Sequence, residues 1–147
     1  MCEVCLDEYT NPANRRFHSQ TNTCPTCGIQ LKLINNLNEE IEVENSRLFK
    51  KTANFLAKGK ILAIKNTSGY LLCCNAENKE SVQKLRDKKH RPNKPFAVLY
   101  PSLEFLQNEV SLSEKQLTSL TSTERPINIV SLKYFSGNIA LEQVAPN

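Results

Sequence analysis

Four cysteines near the start of the sequence have the spacing of metal ligands. Cys2 and Cys5 form one C-x2-C pair, and Cys24 and Cys27 form a second pair eighteen residues later. A C-x2-C turn brings two thiolates close enough to share one ion, and two such turns complete a tetrahedral shell with Zn–S bonds of about 2.3 Å. Disulfides or a redox-active pair fit two matched pairs less well. We therefore predict a structural zinc site without an open coordination position.

The remaining metal-binding residue types fit this site less well. His18 lies between the two pairs and could replace a cysteine ligand, although we favour a surface or stacking histidine. Gly28 follows the second pair and is expected to let the backbone fold tightly over the metal. Cys73 and Cys74 are adjacent in a predicted strand, so their side chains point to opposite faces and cannot bind one ion. We interpret them as buried core cysteines.

A second concentration of functional groups is the basic segment, residues 84–94, in which six of eleven residues are Lys or Arg. It runs from the end of a predicted helix into a loop that contains proline. Lys84 and Lys88 are one helical turn apart, and we interpret them as solvated surface residues. The loop precedes a predicted strand, and ligands of α/β proteins bind at such loops. Its three cations are candidate phosphate ligands, because Arg offers a bidentate fork and Lys a mobile charge: Lys89, Arg91 and Lys94.

Composition and charge describe a globular chain of two parts. The 147 residues suffice for a small module plus a modest second domain. Residues 1–45 have a net charge of −4, and residues 46–147 a net charge of +8. The basic part suits an anionic ligand such as a nucleotide, a phosphate ester or RNA, although +8 can also be ordinary solubilising charge. No apolar stretch is long enough for a membrane span and no secretory signal is evident, so we expect a cytoplasmic protein without a membrane partner.

The chain divides by pattern into a zinc-finger module (1–34), an acidic linker (35–45) and an α/β domain (46–147). Ser46 can cap a helix that runs to about Lys58, with Gly59 as its C′ residue. Strands and helices then alternate, which predicts the α/β (α+β) class with a mixed, twisted sheet. The predicted strands are Ile61–Lys65, Tyr70–Cys74, Pro95–Tyr100 and Ile127–Leu132. The further predicted helices are one capped by Asn78, one at Ser102–Val110 and one at Ser113–Leu120.

Several segments together carry a resemblance to a known family. The finger residues are Cys2-Glu3-Val4-Cys5, Asn14-Arg15-Arg16-Phe17-His18 and Cys24-Pro25-Thr26-Cys27-Gly28. The later segments are Ile61–Lys65, Leu85–Val98 and Arg125-Pro126-Ile127. In this order and spacing they resemble the HypF carbamoyltransferases, which mature nickel–iron hydrogenases, and the resemblance covers nearly the whole chain.

The resemblance implies a domain order of acylphosphatase domain, two zinc fingers, YrdC-like domain and a large transferase domain. This sequence would hold the second finger and a YrdC-like domain that is incomplete at its C-terminal end. In that family the YrdC-like domain is thought to activate a carbamoyl group with ATP as a carbamoyl adenylate. The transferase domain then passes the group to a cysteine of the partner HypE. By position, four residues match the basic lining of the YrdC-like cavity: Lys65, Lys89, Arg91 and Lys94.

The sequence also departs from the family pattern after Lys65, where Asn66 and Ser68 replace glycines and Leu71 replaces a histidine. Two hypotheses follow. In the first, the chain is part of a HypF-type carbamoyltransferase with a region for ATP and carbamoyl activation, inactive alone and without an assigned catalytic residue. In the second, it is a non-catalytic zinc-finger and YrdC-like module that binds RNA or a protein partner. A zinc-finger transcription factor is disfavoured, because no basic recognition helix follows the finger.

Overall fold

The computed structural model describes residues 1–67, 69–131 and 135–146. It divides into two compact units, Met1–Lys51 and Thr52–Asn147. The predicted α/β class is confirmed, with a four-cysteine module followed by helices and an antiparallel sheet.

The first unit is built from one short helix and a series of turns. Helix α1 spans Glu3–Thr10, and Cys2 is its N-cap. The segment predicted as a linker contains an ordered turn, because Ile34 and Glu40 form an isolated bridge. The Asn35 side chain closes this turn by accepting hydrogen bonds from the backbone N–H groups of Leu37 and Glu39. The predicted boundaries of that linker remain a prediction.

Helix α2 spans Asn45–Ala57, so Ser46 lies inside the helix and does not cap it. Gly59 follows the end of the helix, as predicted. Gly59 has a φ of 72°, a left-handed conformation that favours glycine. The N–H of Gly59 bonds to the carbonyl of Leu56, and the N–H of Lys60 bonds to that of Phe55. These two bonds form a Schellman motif, which satisfies carbonyls that the end of a helix leaves free.

The sheet of the described residues is a single hairpin. Strand β1 (Leu62–Asn66) pairs antiparallel with strand β2 (Gly69–Cys73), and Leu62 is opposite Cys73. Both strands lie within one residue of their predicted bounds. Lys65 is exposed on β1 opposite Tyr70.

Helix α3 (Lys79–Lys88) supplies much of the small core. The Asn78 side chain accepts a hydrogen bond from the N–H of Ser81, which confirms the predicted cap. Val82 and Leu85 are buried, 2% and 5% exposed. Helix α6 (Leu141–Val144), which was not predicted, packs against α3 and contributes buried Val144.

The two other predicted helices are confirmed. Helix α4 spans Leu103–Glu109 with Ser102 as its N-cap, and helix α5 spans Glu114–Thr121. Ser113 and Gln116 form a capping box at the start of α5. Glu109 accepts a hydrogen bond from the Tyr100 hydroxyl at 2.5 Å.

Two predicted strands are wrong. Residues 95–100 and 127–131 form no strand, and Leu132 lies outside the described residues. Several of their apolar side chains are exposed, with Leu99, Ile127 and Ile129 exposed by 96%, 84% and 94%. An apolar run becomes a strand only when a neighbouring backbone accepts its hydrogen bonds. Within the described residues, neither segment pairs in a ladder, and the single bond from the N–H of Phe96 to the Val144 carbonyl does not make a strand.

The end of α2 gives a test of the fold. We expect Gly59→Ala to lower the free energy of unfolding by about 1–2 kcal/mol, because a non-glycine residue is strained in the left-handed region. A Cβ atom at this position would also lie 2.9 Å from the Ser81 hydroxyl oxygen. Chemical denaturation of the 147-residue chain measures the change. Lys58→Ala, on an exposed neighbour, is the control and should leave stability within about 0.5 kcal/mol.

Candidate metal centre and basic loop

The structure brings the four predicted metal ligands together. The Sγ atoms of Cys2, Cys5, Cys24 and Cys27 all lie within 4.8 Å of one another. Three of the separations are 3.6 Å (Cys2 to Cys24), 3.7 Å (Cys24 to Cys27) and 3.5 Å (Cys27 to Cys5). A regular tetrahedron with Zn–S bonds of about 2.3 Å has sulfur–sulfur edges of about 3.8 Å. The cluster therefore has the size and donor set of a four-thiolate zinc site.

Local structure places these thiols on one side of two short elements. Cys2 caps α1 and Cys5 lies in its first turn, so the helical spacing directs both side chains the same way. Cys24 and Cys27 lie at the two ends of a tight turn. A Cβ atom on Gly28 would lie 2.6 Å from the Cys24 carbonyl oxygen, so a larger residue would force this turn open. The close approach supports the role predicted for Gly28.

The electrostatics of the four thiols differ from one another. Burial raises the pKa of the Cys5 thiol, whose residue is fully buried. Hydrogen bonds from the backbone of Cys27 and Thr26 lower the pKa of Cys24. Hydrogen bonds from the backbone of Cys2 and Cys24 lower the pKa of Cys27 to about 6. A metal ion must displace the remaining protons, so metal affinity is expected to fall as the solution becomes more acidic.

Polar side chains around the cluster hold its loops in place. The Asn22 side chain donates a hydrogen bond to the Cys5 carbonyl at 2.9 Å. Arg16 Nη1 donates to both carboxylate oxygens of Glu8, at 2.9 and 2.8 Å. This hydrogen bond lowers the pKa of Glu8. Sequence reasoning did not find these contacts, because only the fold brings the partners together.

His18 lies outside the cluster. Its ring centroid is 4.9 Å from that of Tyr9 and 4.3 Å from that of Phe17, so it packs against aromatic rings. The four cysteines form the metal-binding group of the described residues, and His18 is not a member. These contacts fit the stacking role favoured from the sequence.

The basic loop, residues 89–96, connects α3 to the extended segment that follows. Lys89 is the C-cap of α3, and Lys89 and Lys94 are both exposed. Arg91 is half-buried and directs its guanidinium at the loop itself, with Nε donating to the Lys94 carbonyl and Nη2 to the Pro95 carbonyl at 2.8 Å. A phosphate-binding role of these residues stays a prediction.

The other residues singled out in the sequence are placed apart from this loop in the chain. Lys65 is on β1, one residue from the end of the strand. Cys73 and Cys74 are half-buried, not fully buried as predicted, and burial raises the pKa of each thiol. Partial burial follows because a two-stranded sheet cannot cover both of its faces.

Sequence reasoning missed Arg86, which it counted only as one cation of the basic segment. This residue is 5% exposed and bonds to carbonyls of the basic loop and of α6. A signal was available, because Arg86 comes four residues after Val82 and one after Leu85, which places it beside the apolar face of α3. Its hydrogen-bond partners could not be read from that position.

Two family models match the chain. One, for Sua5, YciO and YrdC proteins and described as "Telomere recombination", matches residues 54–147. The other, described as "HypF finger", matches residues 1–34. Together they define a class of protein in which a four-cysteine finger precedes a YrdC-type domain.

Individual relatives narrow this class. "Carbamoyltransferase HypF" of Rhodobacter capsulatus is 39% identical over 131 residues, 86% of this chain and 16% of that protein. The crystal structure of HypF from T. kodakarensis matches with a TM-score of 0.72 and 34% identity, over 99% of this chain and 19% of that chain. Full-length HypF in a phosphate- and nucleotide-bound form matches with a TM-score of 0.59 and 34% identity, over 83% of this chain and 15% of that chain. The chain therefore belongs to the HypF family, as its sequence indicated, and it spans less than a fifth of the length of these relatives.

Among the described residues, no helix combines the length and apolarity needed to cross a membrane.

The metal centre leads to a test on the whole chain. We expect one zinc ion per chain, and we expect Cys24→Ser to lose it and to unfold residues 1–34 while the second unit stays folded. Metal analysis and amide hydrogen exchange of the purified protein measure both effects. Cys73→Ser, which removes a thiol outside the cluster, should keep the full zinc content. Folded protein with four free thiols and no zinc would contradict the assignment.

Proposed function

We propose that this chain is the finger and YrdC-like part of a HypF-type carbamoyltransferase that acts in hydrogenase maturation. The observation that carries the proposal is the order of two features in one chain. A four-thiolate cluster lies within residues 1–34, and a Sua5/YciO/YrdC domain follows over residues 54–147. The similarity to proteins named carbamoyltransferase HypF supports the same activity for the complete protein.

In this proposal the finger binds a structural zinc ion through its four cysteines. Four thiolates close the tetrahedral shell, so no position remains for a reacting water. The ion would supply the positive charge that allows four thiolates to lie within 4.8 Å of one another. The chain supplies the rest of the site through the hydrogen bonds of Asn22 and of the tight turn ended by Cys27.

The YrdC-like part is proposed to bind ATP through its phosphates. The expected ligands are the cations Lys65, Lys89, Arg91 and Lys94. Two observations support this role: the lysines are exposed, and a HypF structure 34% identical to this chain was solved with phosphate and nucleotide bound. In the activation step, a carboxylate oxygen of carbamate, left when the phosphate of carbamoyl phosphate is removed by hydrolysis, attacks the α-phosphorus of ATP. The bond from that phosphorus to the bridging oxygen breaks, and pyrophosphate leaves. Cations held near the departing pyrophosphate stabilise the charge that develops on it.

The proposed partners follow from the same assignment. They are the remainder of a HypF-like chain and a HypE-like acceptor whose cysteine receives the carbamoyl group, in the cytoplasm. The second candidate, a module that binds RNA or a protein, is favoured by one observation. Asn66 stands in β1 where the family has a glycine, and its side chain would crowd a phosphate near the hairpin turn.

A charge-reversal pair tests phosphate binding. We expect the chain to bind MgATP with strong dependence on salt, and we expect Lys94→Glu to weaken this binding about tenfold or more, because a charge-assisted contact is lost and a repulsion is added. Lys84→Glu, an equal charge change on the exposed face of α3, should change the affinity less than about twofold. Arg91→Glu is a poorer probe, since it also removes the bonds to the Lys94 and Pro95 carbonyls. Isothermal titration at several salt concentrations gives the affinities.

Two results would contradict this site. Equal losses from Lys94→Glu and Lys84→Glu would indicate general charge attraction. Tight RNA binding with no measurable affinity for MgATP would favour the second candidate function.

We also expect the 147-residue chain to be catalytically silent. Adenylation requires that the attacking oxygen be aligned with the α-phosphorus, and alignment accounts for much of the rate of such reactions. The family resemblance assigns the acyl-phosphate and transfer steps to other domains. The measurement is exchange of labelled pyrophosphate into ATP with carbamoyl phosphate present, with a complete HypF as the positive control. Clear exchange by this chain would refute the expectation.

A further inference from the structure

Arg86 is a buried cation that forms no ion pair with a carboxylate among the described residues. Its guanidinium stays charged in proteins, and burying a charge is costly unless hydrogen bonds replace those of water. The four ion pairs found among the described residues all join other side chains. Arg86 instead donates its hydrogen bonds to backbone carbonyl oxygens, which are dipoles and do not neutralise its charge.

One edge of the guanidinium holds helix α6. Nε and Nη2 donate to the Gln143 carbonyl at 2.9 and 2.6 Å, and Nη2 also donates to the Val144 carbonyl at 3.2 Å. The Val144 carbonyl in turn accepts a hydrogen bond from the N–H of Phe96. Arg86 thereby fastens the end of the basic loop to α6.

The other edge holds the basic loop. Nη1 donates to the carbonyls of Arg91, Pro92 and Lys94, the last two at 3.1 and 3.2 Å. The guanidinium carbon also lies 4.6 Å from the centre of the Phe96 ring, a cation–π distance. Every carbonyl of the loop that Arg86 contacts lies between positions 91 and 94.

These contacts coincide with the residues predicted to bind phosphate. Arg91 and Lys94 both precede a proline, and a residue before proline is restricted to extended backbone conformations. Proline restricts the backbone at both positions, and Arg86 binds the carbonyl oxygen of both. The main chain of Arg91 and Lys94, two of the predicted phosphate ligands, is thus restrained both by the following proline and by the hydrogen bond from Arg86.

We propose that Arg86 is a positioning residue for phosphate binding. This inference rests on the proposed function. Arg86 holds the backbone of residues 91–94 in a conformation that leaves the Lys94 side chain exposed for contact with a phosphate chain. Its charge, which forms no ion pair among the residues that the structure describes, adds to the positive potential at the loop. The ligand class is a polyphosphate, either that of ATP or inorganic pyrophosphate.

The test compares variants of the 147-residue chain by titration with MgATP and with inorganic pyrophosphate. Arg86→Ala should weaken binding of both at least about tenfold, since several charge-assisted hydrogen bonds that order the loop are lost. Arg86→Lys, which keeps the charge without the fork, should fall between the parent chain and Arg86→Ala. Val82→Ala is the matched control, because it removes buried volume from the same helix and touches no loop carbonyl.

Guanidinium rescue separates positioning from stability. A low, non-denaturing concentration of guanidinium chloride should raise the affinity of Arg86→Ala several-fold. Sodium chloride at equal ionic strength should not. Amide exchange of Asn93, Lys94 and Phe96 should slow on the same addition of guanidinium chloride. All affinities are measured at a temperature at which every variant is folded, as judged by circular dichroism.

Each result decides the question. Equal loss of affinity in Val82→Ala and Arg86→Ala at matched stability, or no rescue, would overturn the proposal. Binding of pyrophosphate without MgATP, with the predicted ranking of variants, would support the positioning role and contradict the proposed function. Absence of binding by either probe in the parent chain would overturn both.

Discussion

In the second unit, the Arg86 guanidinium and the carbonyl oxygens around it join helix α3, the basic loop and helix α6. Helix α6 has four residues, far below the length at which a helix is stable alone, so it depends on tertiary contacts. Arg86 supplies these contacts together with buried Val144. The same side chain collects carbonyls of the basic loop, which would otherwise face a cost for burial without partners. Arg86 therefore links α3, the loop and α6 through one side chain.

The first unit faces the opposite electrostatic demand. Its core is too small to fold by apolar burial alone, and Cys5 is its fully buried side chain among those described. Four thiols within 4.8 Å of one another gain little from mutual contact and repel one another once ionised. A divalent cation removes this repulsion and converts the cluster into the centre of the unit. The first unit therefore places thiolate anions around a cation from solution. The second unit places backbone carbonyl dipoles around a cation of its own chain.

Local signals explain which features could be predicted from sequence. The cysteine spacing, the caps at Asn78 and Ser113 and the glycine end of α2 are each specified within a few residues, and each is present. The segments at 95–100 and 127–131 have strand composition, but a strand also requires a neighbour that composition cannot name. Arg86 was overlooked for a related reason. A cation beside an apolar helix face reads as surface until the distant carbonyls of residues 143 and 144 are known.

The prolines of the basic loop connect these levels. In the sequence Arg91-Pro92-Asn93-Lys94-Pro95, each proline removes a backbone N–H and leaves the preceding carbonyl as an acceptor with no donor on the same peptide. Such peptides cannot donate to a helix or a sheet ladder, and here their carbonyls accept hydrogen bonds from a side chain. A guanidinium, with five donors in a rigid plane, can satisfy several of them at once, which a lysine cannot. The sequence thereby couples an irregular backbone to a buried arginine, and that coupling leaves the lysine side chains of the loop free to face solvent.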